Sequence, residues 1–254
     1  MITKQLIVYL LACMGLLACS ASSVTIEGKD GINRQKEYYL YGCQAGSLIP
    51  IASALIDSNG CFRLNVPLPQ EGFYLLGTEQ GVMHPFYLKG NETIRLRFQT
   101  NGMILEGEQT PENQALSQWE QAATLVREHA FLYERFGGGY STDPATFTQE
   151  LEDLLRVRQQ LKPEKATGNA TFNSLLKAKM EADVDFYALA YLQRNAGNLS
   201  DTIRLSNYYQ KMQPEKTLQQ PALLQLPYAG EMLRTYVWHK YGDPVELREA
   251  FKYK

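Results

Sequence analysis

Near Gly107 the hydrophobic pattern changes period, and that change limits what this chain can fold into. Upstream, apolar and polar positions alternate. Tyr38 and Leu40 alternate with Tyr39 and Tyr41, Phe62, Leu64 and Val66 with Arg63 and Asn65, and Ile94, Leu96 and Phe98 with Arg95 and Arg97. Period two is the signature of a strand with one buried face. The pattern predicts strands at Val24–Gly28, Glu37–Cys43, Ile49–Asp57, Cys61–Val66, Gly72–Thr78, His84–Leu88, Thr93–Gln99 and Met103–Glu106. Asp57-Ser58-Asn59-Gly60 and Lys89-Gly90-Asn91-Glu92 read as turns between them.

Downstream the apolar residues recur at helical spacing. Thr110 stands as an N-cap before Pro111, ahead of Ala115, Leu116, Trp119, Ala122, Ala123 and Val126. Asp143-Pro144 opens a second helix and Ala170 a long third. Gly137–Gly139 and Gly197 are expected to interrupt helices, Ser200-Asp201 to start a short one, and Pro214 and Pro221 to mark a loop before a helix over Tyr228–Tyr241. Pro244–Lys254 is helix-compatible but mostly charged. The fold class predicted is α+β: an antiparallel β sandwich or barrel over 24–107, then an all-α helical domain over 108–254, each with its own core.

The first residues read as an address. Lys4 is a basic start, Leu6–Leu17 an uncharged apolar run, and Leu16-Leu17-Ala18-Cys19 a bacterial lipobox. The run is shorter than the roughly 20 residues that cross a bilayer, which favours a cleaved signal. Residues 1–18 are thus expected to be a lipoprotein signal peptide and 19–23 a tether, with lipid on Cys19. The expected location is the bacterial cell envelope, facing the periplasm. The 254-residue chain has a formal net charge of −2 and no basic block, which argues against a nucleic-acid partner.

Beyond Cys19, two thiols bear on the envelope chemistry, Cys43 and Cys61. An oxidising compartment permits a bridge if their strands are neighbours, and leaves two free thiols if they are not.

Several segments resemble a known family. Tyr39-Leu40-Tyr41-Gly42, Ala54–Phe62, Gly72-Phe73-Tyr74-Leu75 and Gly90–Leu96 are similar to a sandwich domain of unknown function. That domain begins Bacteroidota-type TlpA/ResA-like thioredoxin-family envelope lipoproteins. Ile104–Glu108 with Glu112-Asn113 resembles its exit, and Ala182–Leu189 with Leu226-Pro227-Tyr228 its helical segment. The resemblance implies the N-terminal accessory part of a thiol–disulfide oxidoreductase. The family's thioredoxin domain has no counterpart here, and the chain has no CxxC. Its redox chemistry is therefore assigned to no residue.

The remaining candidates are modest. His84, His129 and His239 stand apart without metal-ligand spacing and read as structural. Glu181 and Asp185, with Asp183 between them, read as a solvated helix face. Arg95, Arg97 and Lys89 read as a small basic edge. Trp119, Tyr187, Tyr191, Tyr228, Tyr236 and Trp238 are candidates for a ligand groove between helices, although most recur at core spacing. No catalytic residue, metal or cofactor is designated. The sequence reading is a non-catalytic envelope lipoprotein module, anchored in the membrane through Cys19, that positions a thioredoxin-like domain or an envelope client. The competing reading is a glycan- or peptide-binding lipoprotein.

Overall fold

The computed structural model describes residues 22–31, 36–78, 83–99, 102–131, 142–195, 209 and 212–242. The leader, Cys19, Gly137–Gly139, Gly197–Asp201 and Pro244–Lys254 lie outside the described residues.

Eight strands stand within a residue or two of their predicted positions: β1 Ser23–Asp30, β2 Glu37–Gln44, β3 Ser47–Leu55, β4 Cys61–Pro67, β5 Gly72–Gly77, β6 His84–Leu88, β7 Glu92–Gln99 and β8 Gly102–Glu106. They form two open four-stranded sheets, ordered β4-β1-β7-β8 and β3-β2-β5-β6. The architecture is mixed α and β, and the sheets do not close into a barrel. One expectation is corrected in detail: β1 runs parallel to β7 while pairing antiparallel with β4, so the first sheet is mixed. A parallel neighbour needs a long crossover, and the whole second sheet supplies it.

The Asp57–Gly60 turn stands between two strands as expected. It carries the chain from β3 in one sheet to β4 in the other, so it closes no hairpin. The Asp57 carboxylate accepts the Asn59 and Cys61 backbone N–H groups at 2.8 Å each. Gly60 takes φ +76, and its carbonyl accepts Asp30 N–H at 2.7 Å.

The sheets face each other across one apolar core. Val24, Ile26, Phe62, Leu64, Ile94 and Leu96 of the first sheet meet Tyr38, Leu40, Leu76, Phe86 and Leu88 of the second. Tyr38 stacks on Phe62 and on Phe98, at ring-centroid separations of 4.6 and 4.3 Å. Gly28 makes room for this stack: a Cβ there would lie 2.1 Å from the Phe62 ring.

Helix α1 spans Pro111–Phe131, α2 Pro144–Leu161, α3 Ala170–Arg194, α4 Pro214–Leu218 and α5 Ala229–Tyr241. The Asp143 carboxylate caps α2 at Ala145 and Thr146 N–H, and the Asn169 side chain caps α3 at Phe172 N–H. Pro214 and Pro221 begin a short α-helix and a 3₁₀ turn, Pro221–Gln225, where a loop was expected. Proline fits the first helical position, whose N–H has no partner in any case. Helix α3 is buried around most of its circumference, so it is the axis on which the others pack.

The helical core is not self-contained. Phe73 and Tyr87 of the second sheet belong to it, and Phe172 of α3 packs edge-on to both rings. The Asn113 carboxamide of α1 reinforces that junction. It accepts Tyr87 N–H at 2.8 Å and donates to Tyr87 C=O at 2.9 Å, as a neighbouring strand would on the edge strand β6. The turn Ala45-Gly46 adds a second junction, with Gly46 N–H donating to Leu224 C=O at 2.7 Å.

Candidate functional site

The densest set of ionisable groups lies inside the helical core, where α1, α3 and the residue before α5 meet. Lys179 is buried on α3, with its ammonium 2.9 Å from Glu120 Oε1 and 2.9 Å from Asp183 Oδ2. Glu120 also pairs with Arg127 at 2.7 Å. Asp183, 1 % exposed, accepts further hydrogen bonds from Trp119 Nε1 at 2.7 Å and from the Tyr228 hydroxyl. The Tyr187 hydroxyl hydrogen-bonds with Arg127. The Lys179 ammonium lies 5.6 Å from the centre of the Tyr228 ring, which stacks on Phe186.

The electrostatics follow from burial set against pairing. Burial alone would pull the Lys179 pKa down, but Asp183 and Glu120 more than reverse this and leave it raised. Burial pushes the Glu120 carboxyl up, but Lys179 and Arg127 bring it below the usual range. Burial, then the Asp183 charge, holds the Tyr228 phenol well above its ordinary value. The network therefore keeps Lys179 and Glu120 charged and Tyr187 and Tyr228 neutral. Each group has a protein partner, although Glu120 Oε1 meets Lys179 as an ion pair without a hydrogen bond, and the contacts hold three segments in register.

The acidic cluster is corrected accordingly. Asp183 and Asp185 do not form a solvated face; both are buried, and Asp185 accepts the Thr217 hydroxyl at 2.5 Å. Glu181 accepts Gln220 Nε2 at 2.7 Å. The physical reason is that α3 has neighbours nearly all round, so its carboxylates meet partners before they meet water.

The aromatic groove is corrected as well. Trp119, Tyr187 and Tyr191 are at most 3 % exposed. Tyr191 stacks on Phe147 at 3.9 Å and donates to Thr142 C=O, and Tyr236 donates to Glu215 on α4 at 2.6 Å. Trp119, Tyr187 and Tyr228 converge, but on the ion network; Trp238 is half-buried on α5. Core spacing was the stronger signal.

Two hollows open elsewhere, and neither includes any of these six residues. One, of about 290 Å³, lies between the second sheet and the 3₁₀ turn and is lined by Cys43, Ile49, Ile51, Phe73, Tyr74 and Gln225. The other, of about 500 Å³, is a shallow depression on the outer face of the first sheet, lined by Glu27, Lys29, Cys61, Arg63, Arg95 and Glu106.

Cys43 and Cys61 form no disulfide; both thiols are free. Cys43 lies on β2 and Cys61 on β4, which belong to different sheets, so the condition of neighbouring strands is not met. Cys43 Sγ donates to Leu224 C=O at 3.5 Å, and burial raises its pKa. The basic edge is largely neutralised: Arg95 pairs with Glu27, Arg97 with Glu106 and Lys89 with Glu112. His129 Nδ1 lies 2.8 Å from Glu150, and burial lowers the pKa of His84 and of His239. Among the described residues no group of three or more His, Cys, Asp or Glu side chains is arranged to hold a metal ion, and no helix is long and apolar enough to cross a membrane.

Sequence reasoning missed the pairing of Lys179 and Asp183. The signal was present: Lys179 and Asp183 are opposite charges at i,i+4 on α3. No family model matches the chain, and no curated protein matches it.

Proposed function

We propose that this protein is a non-catalytic, lipid-anchored module of the bacterial envelope whose work is to position another protein. In this reading the facing sheets are a β sandwich, the helices a second all-α layer, and the partner a thioredoxin-like domain or a client of envelope thiol chemistry. The observation that carries the reading is the closed network around Asp183. The acids, bases and phenols gathered there are bound to one another, as rigidity requires and as turnover does not. The Asn113–Tyr87 and Gly46–Leu224 junctions support it, because they fix the sheet against the helices. The Leu16–Cys19 lipobox supports the anchor, and the resemblance to TlpA/ResA-like lipoproteins supports the class of partner.

The test uses cells fed an alkyne fatty acid. Wild type should take the label and Cys19→Ser should not. A photo-crosslinker at Leu233, exposed on α5, should then trap an envelope protein bearing a redox-active dithiol, and only in the anchored form. Equal labelling of both forms refutes the anchor. Reduction of insulin disulfides by the purified chain, dependent on Cys43 and Cys61, refutes the non-catalytic reading.

A further inference from the structure

The outer face of the first sheet is an anomaly on an acidic protein. Its outward positions follow from the register. Arg63, Glu27, Arg95 and Glu106 form one row across all four strands, and Cys61, Lys29, Arg97 and Ile104 the next. The face thus carries four cations against two carboxylates. Glu27 is shared between Arg63 at 3.3 Å and Arg95 at 3.0 Å, and Glu106 pairs with Arg97 at 2.5 Å. Among the described residues Lys29 has no ion pair. The arginine side chains stay 45 to 63 % exposed despite their partners, so guanidinium N–H groups still face solvent. Thr25, Asn65 and Thr93 continue the face without charge. The Asp57 carboxylate beside it is engaged by backbone N–H groups.

This face also belongs to the sheet that contains the first strand after Cys19. Ser23 is four residue steps from Cys19, and a chain of that length spans at most about 14 Å. Ser23 C=O accepts Asn91 N–H at 2.8 Å, so the Asn91 turn marks the tethered end of the sheet. Gln99 lies at the other end of β7, about 26 Å further along the strand. A tethered molecule can stand on the Asn91 end or lie on a face, and the charges decide between these.

We infer that the outer face of the β4-β1-β7-β8 sheet lies against the anionic headgroups of the bilayer that holds the lipid on Cys19. The inference rests on the lipid-anchored reading above. The anchor supplies proximity, and the excess of Lys and Arg supplies orientation, since a single lipid chain joined to a basic patch holds a protein more firmly than either alone. Two net positive charges near an anionic surface raise partitioning roughly thirtyfold.

The experiment uses the full lipidated chain in a Cys43→Ser, Cys61→Ser background. A fluorophore is placed at Asn91→Cys, Gln99→Cys or Leu233→Cys, in vesicles carrying a headgroup-level quencher. In phosphatidylglycerol-rich vesicles the Asn91 and Gln99 probes should be quenched and the Leu233 probe should not. In phosphatidylcholine vesicles, or with Arg63→Glu and Arg95→Glu together, quenching at Gln99 should be largely lost while that at Asn91 persists. Quenching at Asn91 but not Gln99 in the anionic vesicles overturns the orientation and leaves the anchor standing. Loss of both signals removes the anchor and the proposal with it. Equal quenching at Gln99 in neutral vesicles overturns the electrostatic basis. If soluble polyglutamate binds this face and abolishes the lipid signal at Gln99, the face belongs to an acidic polypeptide and the membrane assignment falls.

Discussion

The two sheets and the helices treat charge in opposite ways. Between the sheets the core is built of apolar and aromatic side chains, with Asp30 buried against the Tyr38 hydroxyl, while the ion pairs of the first sheet lie outside in water. Within the helices a lysine, an arginine and two acids sit among Trp119, Tyr187 and Tyr228. Strand geometry explains the first arrangement, because successive side chains alternate faces and the outer face of the first sheet is exposed. From Ala178 to Leu192 helix α3 is buried on nearly every side, so a charge there must be paired inside the protein or be absent. The same residue types therefore carry different weight: exposed pairs contribute little, whereas a buried pair that loses a member is costly.

The largest expected effect tests that contrast directly. Asp183→Ala leaves Lys179 short of a counter-charge and Trp119 and Tyr228 without an acceptor, so it should lower stability in urea melts by about 3–5 kcal/mol. A loss below about 1 kcal/mol would mean that water reaches the network and that the helical interior resembles the sheet surface. Gly28→Ala comes next, at about 1–3 kcal/mol, because the new methyl overlaps the Phe62 ring. Adding Phe62→Leu should recover part of that loss, and strict additivity in the double-mutant cycle would show that the two positions do not meet.

Acid is expected to act more mildly. Burial, reinforced by the Arg127 charge, lowers the His84 pKa below its ordinary 6.5, although Glu120 opposes this. The unfolded chain then binds the proton more readily than the folded one. The His84 contribution to stability is full above about pH 6.5 and is lost as pH falls through the lower, folded value. Thermal melts of His84→Gln should show a flatter decline between neutrality and pH 5 than wild type. An identical decline would remove His84 from the balance. Smallest of all, Glu27→Ala should change stability by no more than about 1 kcal/mol, although it breaks two ion pairs at once.

How much of this was legible follows from the same contrast. Period two located the strands because alternation is a local property, seen in Phe62–Val66 and Ile94–Phe98. Local patterning could not show that β1 takes a parallel neighbour, nor that the Asp57–Gly60 turn passes between sheets. Both depend on partners distant in the chain. The helix caps at Asp143 and Asn169 act within three residues, and the first was readable from Asp143-Pro144. The Asp183 network was not readable as a site, since its members come from 119 to 228. Only the Lys179–Asp183 spacing gave a local sign of it.

The placement of β1 bears on the order in which the molecule acquires structure. This strand is first in the chain yet interior to its sheet, paired with β4 on one side and β7 on the other. Thr25 and Asn65 are 40 residues apart, and Glu27 and Arg95 68. Loops of that length close slowly relative to the short β2–β3 hairpin. During refolding, pulse-labelled amides in β2 and β3 should be protected before those in β1; simultaneous protection would show that the sheets assemble in one step. β1 thus joins its sheet late, after the strands that enclose it have been gathered.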